Sequence, residues 1–208
     1  GLGKWKNILL ENAITPVQQY GYTRGKNATD SAMIIDAMDI LYSSKVNGFC
    51  LVSSDSDFTR LATRLREAGM QVFGIGEKKT PNPFIVACDR FIYLEILRET
   101  EESDDSKPAA AKKPASTNNV DKITPRVIKF ISSTIEDLSD DDGWAFLGDV
   151  GSLLQKKMPN FDSRNYGFRK LTPLIESIDR FEVERRENAG RFKLVYVRLK
   201  KKSKLRKK

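Results

Sequence analysis

The spacing of apolar positions in the first half of the chain alternates between a strand period and a helix period. Strands are predicted at four short apolar runs: Val17–Tyr22, Phe49–Val52, Met70–Ile75 and Phe91–Tyr93. Helices are predicted at three stretches with apolar residues three or four positions apart: Trp5–Ala13, Thr29–Tyr42 and Phe58–Glu67. Thr29 is the expected N-cap of its helix, and Gly69 ends the last one. Alternating strands and helices predict an α/β domain with a mainly parallel sheet flanked by helices.

The second half has a different order of elements. A helix is predicted over Ile123–Leu138, then a helix leading into Pro159, and a second short helix after a turn between Phe161 and Leu171. Two alternating runs, Phe181–Arg186 and Arg191–Leu199, flank a turn at residues 188–190 and predict a hairpin. This order is typical of a small winged helix-turn-helix domain of the α+β class.

Composition places a linker between these halves. Residues 99–119 are acidic and then rich in Pro, Ala, Lys and Ser, without apolar periodicity, so we expect a flexible linker. Residues 120–208 hold 21 basic and 13 acidic residues, whereas residues 1–98 hold 12 and 10. The predicted organisation is therefore a domain at 1–98, the linker at 99–119, a basic domain at 120–199 and a basic tail at 200–208.

Two carboxylates, Asp55 and Asp57, follow the Phe49–Val52 strand directly and precede a helix. The carboxyl ends of strands form the binding crevice of an open α/β sheet, and Mg²⁺ prefers carboxylate oxygens. The motif predicts a divalent metal site and metal-assisted attack on a phosphate. The alternative is that these residues only cap the following helix.

Two other known aspartate motifs fit the stretch around Asp55 less well. An EF-hand loop counted from Asp55 would need Gly and Glu where Arg60 and Arg66 stand, so it is excluded. A haloacid-dehalogenase phosphatase would make Asp55 a nucleophile, but it needs further motifs for which only about forty residues remain before the linker.

A third acid, Asp30, lies in the first turn of the helix after the Val17–Tyr22 strand, which places it at the same predicted sheet edge. We expect it to converge with Asp55 and Asp57, the alternative being a helix-dipole acid. Asp36 lies six positions further, about 240° around the helix, and is expected as an outer acid.

The chain contains no histidine, which excludes histidine triads, histidine general bases and ordinary zinc sites. Cys50 and Cys88 lie in apolar surroundings without Cys-x-x-Cys spacing, so both are predicted to be buried thiols of a reducing cytosol. No apolar run approaches the roughly 20 residues of a membrane helix, and the stretch from Gly1 to Lys4 is not expected to belong to a signal peptide. We expect a soluble cytoplasmic protein with no membrane partner.

Residues 1–95 resemble the LabA-like branch of the NYN family of PIN-like ribonucleases. Four stretches carry the resemblance: Lys26–Ser31, Ile34–Asp39, Leu51–Phe58 and the run from Gly74 to Pro81. It implies a PIN-like fold, acids that bind Mg²⁺ or Mn²⁺, and hydrolysis of RNA. The family opens with an apolar strand ending in an acid, typically within Asp-x-Asn, whereas this chain starts after that position, as a truncated chain would.

Residues 125–199 resemble the OST-HTH, or LOTUS, domain through Leu147–Val150, Pro159–Asp162, Tyr166–Gly167 and Val197–Leu199. The resemblance implies binding of RNA, including structured RNA, or in some members a protein partner. Basic residues around the turn and wing support RNA: Lys156, Lys157, Arg164, Arg169, Lys170, Arg185, Arg186, Arg191 and Lys193. Tyr166 and Phe168 are candidate stacking faces or, alternatively, core aromatics.

The sequence thus predicts a metal-dependent ribonuclease with an RNA-binding module. Asp30, Asp55 and Asp57 would hold Mg²⁺ or Mn²⁺ with Asp36 assisting, and Ser53 and Ser54 would orient the carboxylates. Phosphate contacts are predicted for four residues of the first domain: Arg24, Lys26, Lys78 and Lys79. The alternative is a non-catalytic RNA-binding or regulatory adaptor with a degenerate nuclease domain.

Overall fold

The structure is a computed structural model that describes residues 2–19, 27–43, 45–97, 120–187 and 193–200. The chain divides into two compact units, Gly1–Asn47 and Gly48–Lys208. The predicted linker at 99–119, nearly all of the basic tail and the turn at 188–190 lie outside the described residues. Among those that are described, no helix is both long and apolar enough to cross a bilayer.

The regular secondary structure that is described in the first unit is helical. It contains a 3₁₀ turn at Leu2–Lys4, helix α1 at Lys6–Glu11 and helix α2 at Ala28–Tyr42. The predicted strand at Val17–Tyr22 is not found at residues 17–19, and residues 20–22 lie outside the described part.

The N-cap of helix α2 lies two residues earlier than predicted. Asn27 occupies the N-cap position, so Thr29 lies inside the first turn. Ala37 and Leu41 are the buried residues of α2, whereas the apolar residue Ile35 is exposed.

The second unit opens with a three-stranded parallel sheet. Its strands are β1 (Gly48–Val52), β2 (Gln71–Gly76) and β3 (Arg90–Tyr93), with β2 in the centre. A 3₁₀ turn at Ser56–Phe58 leads into helix α3 (Thr59–Glu67), and helix α4 (Asn82–Ala87) precedes β3. All three predicted strands and the parallel pairing are confirmed. Gly69, with φ of 83°, ends α3 as expected.

Helices α3 and α4 cover one face of this sheet. Leu51, Val72 and Phe91 lie on that face with Leu65 and Phe84 from the helices, each less than 5% exposed. The prediction that Cys50 is buried is wrong, because it lies on the opposite face with Val52, and both are exposed. A continuous apolar run suggested a strand covered on both sides. Cys88 is buried as predicted, and burial raises the pKa of its thiol to about 12.

The remainder of the unit is a small α+β domain with the winged helix-turn-helix order. Its helices are α5 (Pro125–Leu138), α6 (Leu147–Lys157) and α7 (Leu171–Glu176), with a 3₁₀ turn at Ser163–Tyr166. Strands β4 (Ala145–Phe146), β5 (Phe181–Glu187) and β6 (Lys193–Leu199) pair antiparallel in the order β4-β6-β5. The helix predicted between Phe161 and Leu171 is therefore this 3₁₀ turn, because Gly167, with φ of 81°, stops it before α7 begins.

The fold of the parallel sheet depends on a close approach at Gly74. A Cβ atom added there would lie 2.4 Å from Phe91 Cδ2 and 2.8 Å from Cys88 Sγ. We expect Gly74→Ala to lower the free energy of unfolding by about 1–3 kcal/mol, because the buried ring must shift. Urea unfolding measures the change. Gly3→Ala is the control, since no atom lies within 4 Å of the added Cβ, and equal effects of the two changes would contradict the packing described here.

Candidate functional site

The loop after β1 is built by short-range hydrogen bonds. The backbone N–H of Ser53 donates to Ile75 O at 2.9 Å, which extends the pairing of β1 with β2. Ser53 Oγ accepts from the N–H of Asp55 at 3.1 Å, and Asp55 Oδ1 accepts from the N–H of Asp57 at 2.9 Å. Asp55 is thus the N-cap of the 3₁₀ turn that begins at Ser56. The predicted capping role is real, and it fixes the position of both acids.

The same loop brings the two acids together at the carboxyl end of β1. One carboxylate oxygen of Asp55 lies within 4.8 Å of one of Asp57, and both residues are exposed. The cap bond involves one of the two oxygens of Asp55, so the carboxylate retains an oxygen for another partner. Two hard oxygen donors at this separation suit a cation of the Mg²⁺ type, which takes one or two protein carboxylates and keeps several waters. The donor set of the loop therefore fits the predicted metal.

Ser54 connects this loop to the loop after β2. Its Oγ accepts from the N–H of Glu77 at 2.9 Å, while the N–H of Lys78 donates to both carboxylate oxygens of Glu95 at 3.0 and 3.2 Å. Ser53 and Ser54, which were expected to orient carboxylates, thus bind backbone N–H groups. They set the position of the acids through the backbone of the loop.

The other two predicted acids belong to the first unit. Asp30 lies in the first turn of α2 and is partly exposed, and Asp36 is exposed on the same helix. The convergence of Asp30 with Asp55 and Asp57 stays a prediction. Arg24 and Lys26, predicted as phosphate contacts, lie outside the described residues.

Several of the predicted RNA-binding cations are held by carboxylates. Lys78 Nζ lies 3.0 Å from Asp121 Oδ1, and Arg164 makes two hydrogen bonds to Asp162 at 2.8 and 3.0 Å. Five further pairs are present: Lys79 with Glu77, Lys157 with Asp137, Arg185 with Glu176, Arg186 with Glu184, and Lys193 with Glu187. These residues keep their charge for a ligand but are already partly neutralised.

Three other predicted cations differ from these. Lys156, Arg169 and Lys170 are exposed, and among the described residues none of them makes an ion pair within 4 Å. Arg169 and Lys170 line a groove of about 690 Å³ together with Arg164 and Lys193. Arg191 lies outside the described residues.

The aromatic residues of the domain mostly stabilise its core and wing. Tyr166 and Phe168 pack against the buried cluster, the Tyr166 ring lies 6.1 Å from that of Phe161, and burial raises the pKa of the Tyr166 hydroxyl. The guanidinium of Arg186 lies 4.4 Å from the ring centroid of Tyr196 and 5.1 Å from that of Trp144. Core packing of Tyr166 was one of the two roles that the sequence left open.

Sequence inspection missed Arg90, which lines the same groove from the start of β3. Its position there follows from contacts between residues about seventy positions apart, such as the ion pair with Asp162 at 3.7 Å. No local pattern around Arg90 signals these contacts.

The comparisons with known proteins agree with this architecture. A family model of the NYN domain matches residues 1–95, and one of the OST-HTH/LOTUS domain matches residues 119–192. No curated protein matches the chain.

Two structures solved by NMR in solution are also similar. An uncharacterised protein of Nitrosomonas europaea is 39% identical over 46% of this chain and 91% of that one, with a TM-score of 0.37. A fragment of a protein from Chromobacterium violaceum is 33% identical over 38% of this chain and 84% of that one, with a TM-score of 0.31.

The groove residue Asp162 gives a pH-dependent prediction. Burial raises the pKa of Asp162, but hydrogen bonds from Arg164 and the charge of Arg90 outweigh burial and leave the pKa below its usual value. A lowered pKa stabilises the folded state above the unfolded pKa of about 3.9, and this stabilisation is lost as the pH falls through the folded pKa. We expect Asp162→Asn to lower the free energy of unfolding at pH 7 by about 2 kcal/mol.

Urea unfolding between pH 7 and pH 3 measures this difference, which should shrink as the pH falls below about 4. Asp179→Asn, which changes an exposed acid, is the control and should alter stability by less than about 0.5 kcal/mol. A difference that stays constant with pH would contradict the ion-pair account of Asp162.

Proposed function

We propose that this chain, whose residues 1–95 match the NYN domain and whose residues 119–192 match the OST-HTH/LOTUS domain, is a metal-dependent ribonuclease. NYN domains are nuclease-related, and the two domains together support a ribonuclease-like, RNA-associated function. In this proposal, the first domain hydrolyses RNA phosphodiesters and the second domain binds RNA. A cytoplasmic location suits a protein with these tasks.

The pair of carboxylates after β1 is the observation that carries this proposal. Asp55 and Asp57 are exposed, lie within 4.8 Å of each other and stand at the carboxyl end of a parallel sheet. That edge is where open α/β sheets bind their ligands. An exposed pair of like charges is also the arrangement that a divalent cation would neutralise.

Mg²⁺ or Mn²⁺ is the proposed cofactor, because the donor set is carboxylate and hydroxyl oxygen. Asp55, Asp57 and Asp30 would hold the ion, with Asp36 as an outer acid. When bound, such an ion activates water and neutralises charge on the scissile phosphate. The chain's own part is to hold the backbone of both acids and the carboxylate of Asp55 in place through the Ser53 and Asp55 bonds.

The basic residues of the two domains are proposed to have different roles. Lys78 and Lys79, with Arg24 and Lys26, are proposed to hold phosphates near the acids, since Ser54 ties the Lys78 loop to the acidic loop. The exposed cations of the OST-HTH/LOTUS domain would bind the RNA backbone, an interaction that weakens steeply with salt. A protein partner of that domain is the alternative for the same surface.

A non-catalytic adaptor is the second candidate function. The hydrogen bond from the N–H of Asp57 to Asp55 favours it, because helix capping alone would explain why Asp55 is present. The two functions differ in whether a divalent ion binds the acidic loop and whether RNA is cut.

The first test is a titration with Mn²⁺ followed by amide resonances. We expect paramagnetic broadening centred on Asp55 and Asp57, because two hard oxygen donors converge there. Asp55→Ala should abolish it, whereas Asp141→Ala, which removes an exposed acid elsewhere, should leave it unchanged. Broadening that spreads over the exposed acids without preference would contradict a metal site in this loop.

The second test separates chemistry from binding. Asp55→Asn and Asp57→Asn should each lower Mg²⁺-dependent cleavage of single-stranded RNA by at least about 100-fold, because even partners of metal ligands cost 10- to 100-fold. RNA affinity should stay within about twofold, since phosphate and base contacts are made elsewhere. Cleavage that persists in both variants would rule out the nuclease site, and RNA binding without cleavage by the unaltered protein would favour the adaptor.

A further inference from the structure

The edge of the parallel sheet contacts the OST-HTH/LOTUS domain directly. The backbone N–H of Phe91 in β3 donates to Pro159 O at 2.9 Å, and Asn160 Nδ2 donates to the hydroxyl of Tyr93 at 2.7 Å. Phe91 and Tyr93 are only 2% and 9% exposed. Edge strands present unpaired N–H groups that need partners, and here the loop after α6 supplies one. The position of β3 relative to this domain is therefore fixed by bonds and not only by the linker.

Next to this contact, Arg90 of β3 reaches the second domain. Its guanidinium lies 3.7 Å from Asp162 Oδ2, and the same carboxylate binds Arg164 at 2.8 Å. The Asp162 side chain is only 13% exposed, and it also accepts from the N–H of Arg164. Two arginines from different domains thus contact the carboxylate of one partly buried acid. Each guanidinium has five N–H donors, so each can still bind another anion.

The groove beside these arginines is strongly basic. Its described lining contains five cations and a single acid: Arg90, Arg164, Arg169, Lys170, Lys193 and Asp162. Asp162 is already engaged by two of these arginines, so an anion entering the groove meets a net positive field. The volume of about 690 Å³ lies within the range of 300–1,000 Å³ typical of ligand sites.

The floor of the groove is apolar and includes an aromatic ring. Phe146 lines it at 36% exposure, and its ring lies 5.8 Å from that of Tyr196. Aromatic faces inside a basic groove are the arrangement by which proteins stack unpaired bases while binding the backbone. A duplex hides its base faces, so this chemistry favours a single strand.

We propose that Arg90 and the OST-HTH/LOTUS domain form one joint groove for single-stranded RNA, shared by the two domains. This rests on the proposed RNA-binding function and adds a NYN-domain residue to it. Strand register places Arg90 opposite Phe73 and Cys50, three residues before the level of Ser53. With about 3.3 Å per residue along a strand and about 4.8 Å between strands, the backbone of Arg90 lies roughly 14 Å from that of Ser53, the residue where the acidic loop begins.

The experiment is a salt series of RNA affinity with the full chain, using fluorescence anisotropy of a labelled 20-nucleotide oligouridylate. Removing one phosphate contact lowers the slope of log affinity against log salt by about 0.7 for a single strand. We expect this decrease for Arg90→Gln, for Arg169→Gln and for Lys170→Gln. Arg64→Gln, which removes an exposed arginine outside the groove, should leave the slope unchanged. Thermal unfolding establishes that each variant is folded.

The outcomes separate this inference from the proposed function. If Arg169→Gln and Lys170→Gln lower the slope and Arg90→Gln does not, the joint groove is wrong while RNA binding by the second domain stands. If the unaltered chain does not bind the oligonucleotide, the proposed RNA-binding function itself is wrong. Tighter binding of a duplex of equal length would overturn the single-strand assignment.

If Arg90→Gln does not fold, a second measurement tests the joint groove without any substitution. The unaltered protein is photo-crosslinked to oligouridylate containing 4-thiouridine, and the modified peptides are identified by mass spectrometry. We expect adducts both near Arg90 and within 146–170, because both segments line the groove. Adducts confined to the second segment would overturn the proposal.

Discussion

The backbone hydrogen bond from Phe91 to Pro159 determines how the second unit is assembled. An edge strand with a buried N–H must find an acceptor, and leaving such a group without one costs about 1–3 kcal/mol. The loop after α6 meets this need at 2.9 Å, and the Asn160–Tyr93 bond next to it is partly buried. The Arg90–Asp162 pair and the basic groove both depend on this placement. Two domains that the sequence joins only by a predicted flexible linker therefore also contact each other.

The acidic loop shows how one residue can serve the fold and a ligand together. Asp55 caps the turn before α3 with one oxygen, a role worth about 1 kcal/mol, so the loop keeps its shape without any ion. Two like charges 4.8 Å apart in water repel by about 0.9 kcal/mol, which a cation would reverse. A loop held by its own cap can tolerate this repulsion. Capping and metal binding, treated as alternatives from sequence, are compatible in the geometry of Asp55.

What the sequence predicted correctly was encoded locally. The Asp55–Asp57 turn, the stop at Gly69 and the three parallel strands follow from residue spacing and backbone preferences within a few positions. The prediction that Cys50 is buried was wrong because burial of a strand position depends on which face of the sheet the helices cover. That face is decided by elements far along the chain. Arg90 was missed for the same reason, since its partner lies 72 positions away at Asp162.

The charges of the second domain are unequal in what they can contribute to RNA binding. A cation with a carboxylate of its own, such as Arg185 with Glu176, must exchange one anion for another, so little free energy is gained when a phosphate arrives. Arg90 and Arg164 share the single carboxylate of Asp162, which leaves one positive charge in excess for a phosphate. Arg169 and Lys170 have no such competitor among the described residues, and a phosphate there releases condensed counterions in full. Arg186, stacked between Trp144 and Tyr196, mainly holds the wing. Position in the ion-pair network, more than the number of basic residues, would therefore set which cations contribute to the proposed RNA binding.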